Sequence, residues 1–292
     1  MSTVATTTFP SSLARASLGS SLRALGAIAW REWVIFVRYP SLIVTMIVWP
    51  LLLPAGYILS ARALAGPNGS GLALFAQAAG TSDYVGYIAI GTIIWMWQNM
   101  ALWSIGFALR DEQLRGTLES NWLTPAPRLW FLLGSGLMHG LVMITFLVIA
   151  GLEFVLFFGM RFNGSPLLAG LLLLAAMPSI YGLGFAFASL VLAAKEAHAF
   201  VFLVRGLVMI FCGISYPISV LPGWMQSVAA WLPQTYVIHG LRSAALNGAG
   251  LSALWPDLWP LLGFGVFWLA AGYAAFVWMD RRTRRTGSLG QY

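Results

Sequence analysis

Residues Arg110 to Arg128, with the sequence RDEQLRGTLESNWLTPAPR, form a polar segment between two long apolar runs. Five of its first ten residues are ionisable: Arg110, Asp111, Glu112, Arg115 and Glu119. Over the whole chain only 9% of the residues are charged. Charged side chains are costly inside a bilayer, so we expect this segment to lie in water beside a membrane.

The same segment carries apolar residues at helical spacing. Leu114, Leu118 and Trp122 recur every four residues, which predicts a short helix with one apolar ridge and charged flanks. Pro125 ends it, because proline disfavours helical backbone at the preceding Thr124. Such a helix suits the docking of a soluble protein, whereas the alternative is a solvated loop without a partner.

The composition predicts an all-α integral membrane protein. Of the 292 residues 59% are hydrophobic, and they include 14 Trp and 18 Phe, which is more apolar surface than a soluble domain of this size can bury. A membrane helix needs about 20 apolar residues. By this criterion we predict about six transmembrane helices: Ser41–Ser60, Tyr84–Leu109, Leu129–Phe158, Leu167–Ala194, Ala197–Ile214 and Leu258–Met279.

The basic residues predict the orientation. With a cytoplasmic N-terminus, these residues fall inside: Arg15, Arg23, Arg31, Arg38, Arg110, Arg115, Arg128, Lys195, Arg281, Arg282, Arg284 and Arg285. The outer segments hold Arg62, Arg161 and Arg242, so both termini of a multi-pass protein of the inner (plasma) membrane are expected in the cytoplasm. The net charge of +7 is thereby explained without nucleic acid, and residues 281–292 are expected to form a basic tail on anionic lipid.

The N-terminal part divides into two predicted regions ahead of a transmembrane domain at 41–280. Residues 1–21 are rich in Ser, Thr and Ala and are expected to be a disordered tail. Residues 22–40 form an amphipathic pattern with Trp33 on the apolar side and Arg23, Arg31 and Arg38 on another. This pattern predicts a helix in the membrane interface, either as a lipid anchor or as a contact for a partner.

Four polar or aromatic residues inside the predicted spans are candidates for a translocation path. Gln98 and Asn99 must face protein or water, because lipid offers amides no partner. Trp95 either lines the same path or only packs. Glu153 is a substrate contact, a proton-linked group or an interfacial residue bonded to backbone.

Near the C-terminus, residues 217–246 are interrupted by prolines before they reach spanning length. Pro217, Pro222 and Pro233, with Leu221 and Leu232, predict two short helices, about 223–231 and 234–246. They would dip into the outer leaflet and return, because irregular backbone at that depth must be buried in protein. We expect this re-entrant hairpin to act as an outer gate.

Several kinds of site are missing from the sequence. Lys195 lies in AAKEAHA, so a Gly-x-x-x-x-Gly-Lys phosphate loop is absent and any ATP site must be on another chain. The three histidines are scattered and Cys212 stands alone in an apolar run, so no metal site is predicted. A Gly-x-Ser-x-Gly elbow is also absent, and no catalytic residue is proposed.

Two motifs resemble the type 2 permeases of ATP-binding-cassette (ABC) exporters. The first consists of Glu112, Arg115, Gly116, Thr117, Leu118, Glu119, Leu123, Thr124 and Pro125, and the second is SYPISVLPGWMQSVAAWLPQTYVIHGLR from Ser215. Gln234 departs from the leucine often found at its position in that family. The resemblance implies that residues 110–128 are the coupling helix, that the N-terminal interfacial helix also touches the ATPase, and that 217–246 is re-entrant.

The resemblance also implies the assembly. Two ATPase subunits carrying ATP and Mg would associate with two permease chains, as a homodimer or with a close homologue. The function expected first is export of an amphiphilic, drug-like or lipid-like substrate, and next that of a lipid-linked glycan or polysaccharide. A membrane-embedded transferase would need catalytic groups on a long polar loop, and a secondary transporter would need carboxylates nearer the midplane than Glu153.

Overall fold

The structure, a computed structural model, describes residues 18–66, 70–117, 120, 129–194 and 198–286. Within these ranges the elements are α-helices and one 3-10 turn, Ile218–Val220. The helices are α1 (Leu18–Arg38), α2 (Pro40–Leu64), α3 (Ser70–Ala79), α4 (Tyr84–Leu114), α5 (Leu129–Phe158), α6 (Pro166–Ala194), α7 (His198–Phe211), α8 (Gly223–Ala229), α9 (Pro233–Ala245) and α10 (Leu251–Thr286).

Five of the described helices are long and apolar enough to cross a membrane: α2, α4, α5, α6 and α10. Each has 25 residues or more. At about 1.5 Å per residue, each exceeds the roughly 30 Å hydrocarbon core of a bilayer. The prediction of an all-α integral membrane protein is therefore confirmed.

Hydrogen bonds between loops and helix ends define one end of the bundle, which we call the Asp83 end. There the Arg161 backbone N–H donates to Asp83 Oδ2 at 3.0 Å, and the Asn163 N–H donates to the Ala245 carbonyl at 2.9 Å. The start of α4, the α5–α6 connection and the end of α9 thus lie together. The opposite end, where α4 finishes, is called the Leu114 end.

The helix at the fifth predicted span is shorter than predicted. Helix α7 has 14 residues, about 21 Å, which is less than the bilayer core. Its path nevertheless runs antiparallel to α4. The His198 ring lies 5.5 Å from that of Trp103, and the Trp95 indole donates to the Arg205 carbonyl at 3.1 Å.

Beyond α7 the chain continues to the Asp83 end. Gly213 makes the turn with φ +65, a backbone conformation that favours glycine. The Ile214 carbonyl then accepts a hydrogen bond from Arg242, which also binds the Tyr87 carbonyl near the start of α4. Helix α7 and the turn that follows it therefore cross the bundle together, in addition to the five long helices.

Helix α4 lies at the centre of the bundle and packs against α2, α5, α6, α7 and α9. A second close contact joins α6 to α10 through two glycines. A Cβ atom on Gly182 would lie 2.6 Å from the Leu269 backbone nitrogen, and one on Gly272 would lie 2.9 Å from the Gly182 carbonyl oxygen. The backbones of α6 and α10 can touch because both positions are glycine, which has no side chain.

Three parts of the sequence prediction are wrong. Helix α1 begins at Leu18, so the last residues of the predicted tail 1–21 are helical, and residues 1–17 lie outside the described ranges. Helix α3 lies between the first two predicted spans, where no helix was predicted, and its Phe75 ring stands edge-on to Tyr87 at 5.1 Å. Helix α10 continues to Thr286, so the basic segment after residue 280 extends a transmembrane helix instead of starting a tail.

Candidate functional site

The polar segment quoted first begins as the last turn of α4. The helix stops at Arg115 because Gly116 takes φ +71, where a residue with a Cβ atom would be strained. The Gly116 N–H donates to the Gln113 carbonyl and the Thr117 N–H to the Glu112 carbonyl, both at 3.0 Å. This pair of bonds is a Schellman motif, so Gly116-Thr117 is a helix stop.

The predicted apolar ridge is wrong at its first member. Leu114 lies on α4, 59% exposed, and the chain leaves the helix between Leu114 and Leu118. Periodicity alone missed this break, because the left-handed turn at Gly116 resets the helical phase. The remaining candidates lie outside the described residues, and their docking role stays a prediction: Leu118, Glu119, Trp122, Thr124 and Pro125.

Glu112 is the centre of the polar network at this end. Its side chain is 4% exposed, and its carboxylate accepts a 2.6 Å hydrogen bond from the Thr117 hydroxyl. Arg31 on α1 lies 3.1 Å from Glu112 Oε1, and Arg115 lies 4.0 Å from the same oxygen. One buried carboxylate therefore joins the end of α4, the residue that follows the helix stop, and α1.

Arg31 does not lie on the outward cationic side of α1 that the sequence pattern predicted. Its guanidinium also binds Glu32 at 2.6 Å and lies 5.2 Å from the Phe131 ring. The cause is the packing of α1 on α5. A Cβ atom on Gly134 would come within 2.8 Å of Ile28 Cγ2, so this tight contact turns the neighbouring Arg31 inward. Arg23, Trp33 and Arg38 remain exposed.

The proline-rich segment forms short helices whose bounds lie close to those predicted. Pro217 precedes the 3-10 turn and Leu221 follows it, Pro222 is the N-cap of α8, and Leu232 with Pro233 begins α9. The Gln234 amide hydrogen-bonds to the buried Gln98 side chain, about halfway along α4. Helix α9 therefore starts deep in the bundle and rises to the Asp83 end; a gating role stays a prediction.

Arg242 on α9 is a residue whose importance the sequence analysis missed. It is 8% exposed, and its acceptors are backbone carbonyls: Tyr87 at 3.1 and 2.8 Å, and Ile214 at 2.8 Å. Its guanidinium carbon lies 3.3 Å from the Tyr87 ring centroid. The forked side chain thus joins α9 to α4 and to the chain after α7. An arginine within an otherwise apolar segment was the available signal.

A second missed contact joins α9 to the last transmembrane helix. His239 Nδ1 lies 2.9 Å from Oδ2 of Asp257 on α10, whose carboxylate is buried. The sequence analysis noted His239 only as one of three scattered histidines, and no spacing rule pairs it with Asp257. Together with Arg242, this pair holds α9 between α4, the chain after α7, and α10.

The four candidates for a translocation path are buried within the chain. Trp95 contacts Arg205 on α7, Gln98 contacts Gln234 on α9, and the Asn99 amide donates to the Trp95 carbonyl at 2.7 Å. Glu153, on α5, is 7% exposed. The first three share α4, and their lining of a path stays a prediction.

Within the described residues, no group of three His, Cys, Asp or Glu side chains could hold a metal ion.

Comparison with known proteins identifies the class and then the family. The described helices form the bundle of a multi-pass membrane protein, and a polar network lies at the end of α4. Residues 63–274 match the family described as "ABC-2 family transporter protein", and the chain belongs to that family. Family membership and the five long apolar helices make it a multi-pass membrane protein.

The chain is also similar to the "Linearmycin resistance permease protein LnrN" of Bacillus subtilis (strain 168). The two are 28% identical over 139 residues, which make up 45% of this chain. The aligned part spans 36% of the length of that permease.

Proposed function

We propose that this protein is the membrane subunit of an ABC exporter that moves an amphiphilic, drug-like or lipid-like substrate outward. A separate ATPase, which carries ATP and Mg, would dock at the Leu114 end. The observation that carries this proposal is the Glu112 network. It connects the chain leaving α4, where a partner would bind, to both α4 and α1.

The distribution of charge supports a cytoplasmic Leu114 end. Among the described residues, this end holds Arg23, Arg31, Arg38, Arg110, Arg115, Arg281 and Arg282. The Asp83 end holds Arg62, which binds the Tyr84 hydroxyl, Arg161 and the buried Arg242. By the positive-inside rule we expect the Leu114 end and both termini to face the cytoplasm, with the protein in the inner (plasma) membrane.

The network suggests how movement of the ATPase would reach the membrane. A partner bound to the chain after Gly116 would pull on Thr117, whose hydroxyl and backbone both bind Glu112. Glu112 would pass the displacement to α4 and, through Arg31, to α1. A rigid helix stop transmits such a displacement better than a flexible linker would.

A second permease chain completes the proposed assembly. Helices α7 and α8 expose large apolar side chains, among them Phe202, Leu203, Ile210 and Trp224. A second copy, related by a two-fold axis, would cover such a face and give two docking ends for two ATPase subunits.

Support for export of a drug-like compound comes from the relative, which is named as a linearmycin resistance permease.

The test is co-purification of the ATPase with a permease that carries Leu118→Asp. Burying a leucine is worth about 1.5–3 kcal/mol, so we expect at least about a tenfold loss of ATPase affinity. The control is Leu64→Asp, at a residue that is 86% exposed at the Asp83 end. Transport in vesicles should fall with the first variant only. Full ATPase recovery with Leu118→Asp would contradict the docking site.

A further inference from the structure

A cavity of about 240 Å³ opens at the Leu114 end between α1, α4 and α5. Its charged side is formed by Arg31, Glu32, Asp111, Glu112 and Arg115. Its remaining lining is mainly apolar and includes Phe36, Met138 and Val142. The cavity is therefore amphiphilic, because charged and apolar residues both line it.

The packing of α1 explains why space is left here. Ile28 on α1 packs directly against Gly134 on α5, and the contact leaves no room for a Cβ atom at Gly134. Farther along, Ile35 and Phe36 line the cavity, and the chain turns at Tyr39 into α2, whose Leu42 closes the wall. The space is a product of the helix arrangement and does not depend on a loop.

The charged wall has an excess of acid. Three carboxylates, on Glu32, Asp111 and Glu112, face two guanidinium groups, on Arg31 and Arg115. The Arg31 guanidinium is shared between Glu32 at 2.6 Å and Glu112 at 3.1 Å. The wall therefore carries a net negative charge, which attracts a cationic group.

Arg31 adds a second requirement. Its side chain lines the cavity and is 39% exposed. A guanidinium can only donate hydrogen bonds, so its exposed part calls for an acceptor. A fitting ligand thus carries an ammonium group for the carboxylates and an anionic oxygen for Arg31.

We propose that this cavity binds the phosphoethanolamine headgroup of a bilayer phospholipid. The ammonium would meet Glu32 and Asp111, and a phosphate oxygen would accept from Arg31. Liquid water takes about 30 Å³ per molecule, so the cavity has room for about eight waters, enough for a headgroup but not for two acyl chains. The chains would lie outside it, along the exposed apolar surface of α2 that begins at Leu42, a residue that also lines the cavity.

A membrane lipid fits this site better than a soluble amine, because a lipid has both a zwitterionic headgroup and apolar chains. The cavity fits the zwitterionic head, and the apolar surface beside it, on a helix long enough to span, faces the bilayer. This site lies within one chain, between α1, α4 and α5. It therefore does not require a second permease chain, although it shares Arg31, Glu112 and Arg115 with the network proposed to couple the ATPase to the membrane.

The experiment uses the full-length permease in detergent with defined phospholipids and counts retained lipids by native mass spectrometry. The probes are dioleoyl phosphatidylethanolamine, and dioleoyl phosphatidylglycerol as a lipid without the ammonium. We expect the ethanolamine lipid to bind about tenfold more tightly, equivalent to about 1.4 kcal/mol. Soluble phosphoethanolamine should compete with it. Competition by dodecylamine but not by phosphoethanolamine would overturn the proposal in favour of a site for soluble amphiphilic amines.

Variants test separately the contribution of the charged residues and that of the cavity volume. The pair Glu32→Gln with Asp111→Asn should bring binding of the ethanolamine lipid down to that of the glycerol lipid. Ala108→Phe, at a residue that lines the cavity, should remove both. Asp280→Asn neutralises one carboxylate on α10, away from this wall, and should keep the preference. If Ala108→Phe does not fold, the double variant of Glu32 and Asp111 is the deciding test. The proposal is overturned if that double variant still prefers the ethanolamine lipid, or if Asp280→Asn loses the preference to the same extent.

Discussion

Arg31 on α1 and Glu112 on α4 form an ion pair with a 3.1 Å distance between Nη2 and Oε1. The carboxylate is buried, whereas the guanidinium is partly exposed. Thr117, directly after the helix stop at Gly116, binds the other carboxylate oxygen at 2.6 Å. The pair therefore connects α1 with the segment whose sequence resembles a coupling helix.

Replacing Arg31 by alanine should loosen α1 and leave Glu112 with fewer partners. A hydrogen bond to a charged group is worth about 1.5–3 kcal/mol, and partial exposure of Arg31 puts the expected loss of stability toward the lower value. Thermal unfolding of the detergent-purified protein measures it. Arg38→Ala, at an exposed position of the same helix, is the control. Equal melting temperatures for the two variants would mean that the ion pair contributes nothing.

Arg31→Ala should also reduce ATP-driven transport more than it reduces ATPase co-purification. The reason is that the Arg31 side chain binds Glu112 within this chain and lies outside the segment 110–128 that resembles the coupling helix. Both quantities are measured on the same vesicle preparation. A parallel fall of transport and ATPase recovery would indicate that Arg31 acts in docking itself.

Replacing Arg242 by lysine should destabilise the Asp83 end, even though the charge is kept. The guanidinium donates to the carbonyls of Tyr87 and Ile214 at once, and a single ammonium group cannot reproduce that fork. We expect a loss of about 1–3 kcal/mol, because buried carbonyls lose donors. Arg161→Lys, at an exposed residue of the same end, should have little effect. A native-like melting temperature for Arg242→Lys would contradict this account.

Replacing Gly182 by alanine should separate α6 from α10. The new Cβ atom would lie 2.6 Å from backbone atoms of Trp268 and Leu269, and backbone cannot move aside cheaply. Overpacking of this kind costs about 1–3 kcal/mol. Gly170→Ala is a matched control on the same helix, because nothing lies within 4 Å of its Cβ position. Comparable unfolding temperatures of the two variants would show that the contact can relax.

The sequence predicts the helices well and their contacts poorly, for a physical reason. Apolar runs such as Leu129–Phe158 are constrained by bilayer thickness, and their bounds agree with α5. The end of α4 differs, because Arg110 to Leu114 continue the helix beyond the predicted bound at Leu109 until Gly116 stops it. Charge patterning could not foresee this stop.

Contacts between distant parts of the chain lie beyond pattern analysis altogether. The pairing of Arg31 with Glu112 depends on how α1 packs on α5, and the pairing of His239 with Asp257 depends on the path of α9. Arg242 was assigned only to the outer side by its charge, yet its role comes from two carbonyl groups contributed by other elements. Residue types suggest candidate sites, and packing decides which of them meet.

The last prediction concerns the segment between α7 and α10. Pro222 is the N-cap of α8 and Pro233 is the first residue of α9, so each marks a point where the backbone must change direction. Replacing both with alanine restores a backbone N–H at each position and permits longer helices, which should shift the buried contact between Gln234 and Gln98. We expect transport to fall several-fold while ATPase co-purification is kept.

Pro166→Ala is the control for that double variant, since Pro166 is the first residue of α6 and begins a regular helix at the same end. Proline at a helix start is only a mild preference there, so its loss should leave transport intact. Transport is measured in vesicles with each variant at matched membrane content. Unchanged transport by Pro222→Ala with Pro233→Ala would mean that these turns do not shape the exit, because a gate built on them could not tolerate both replacements.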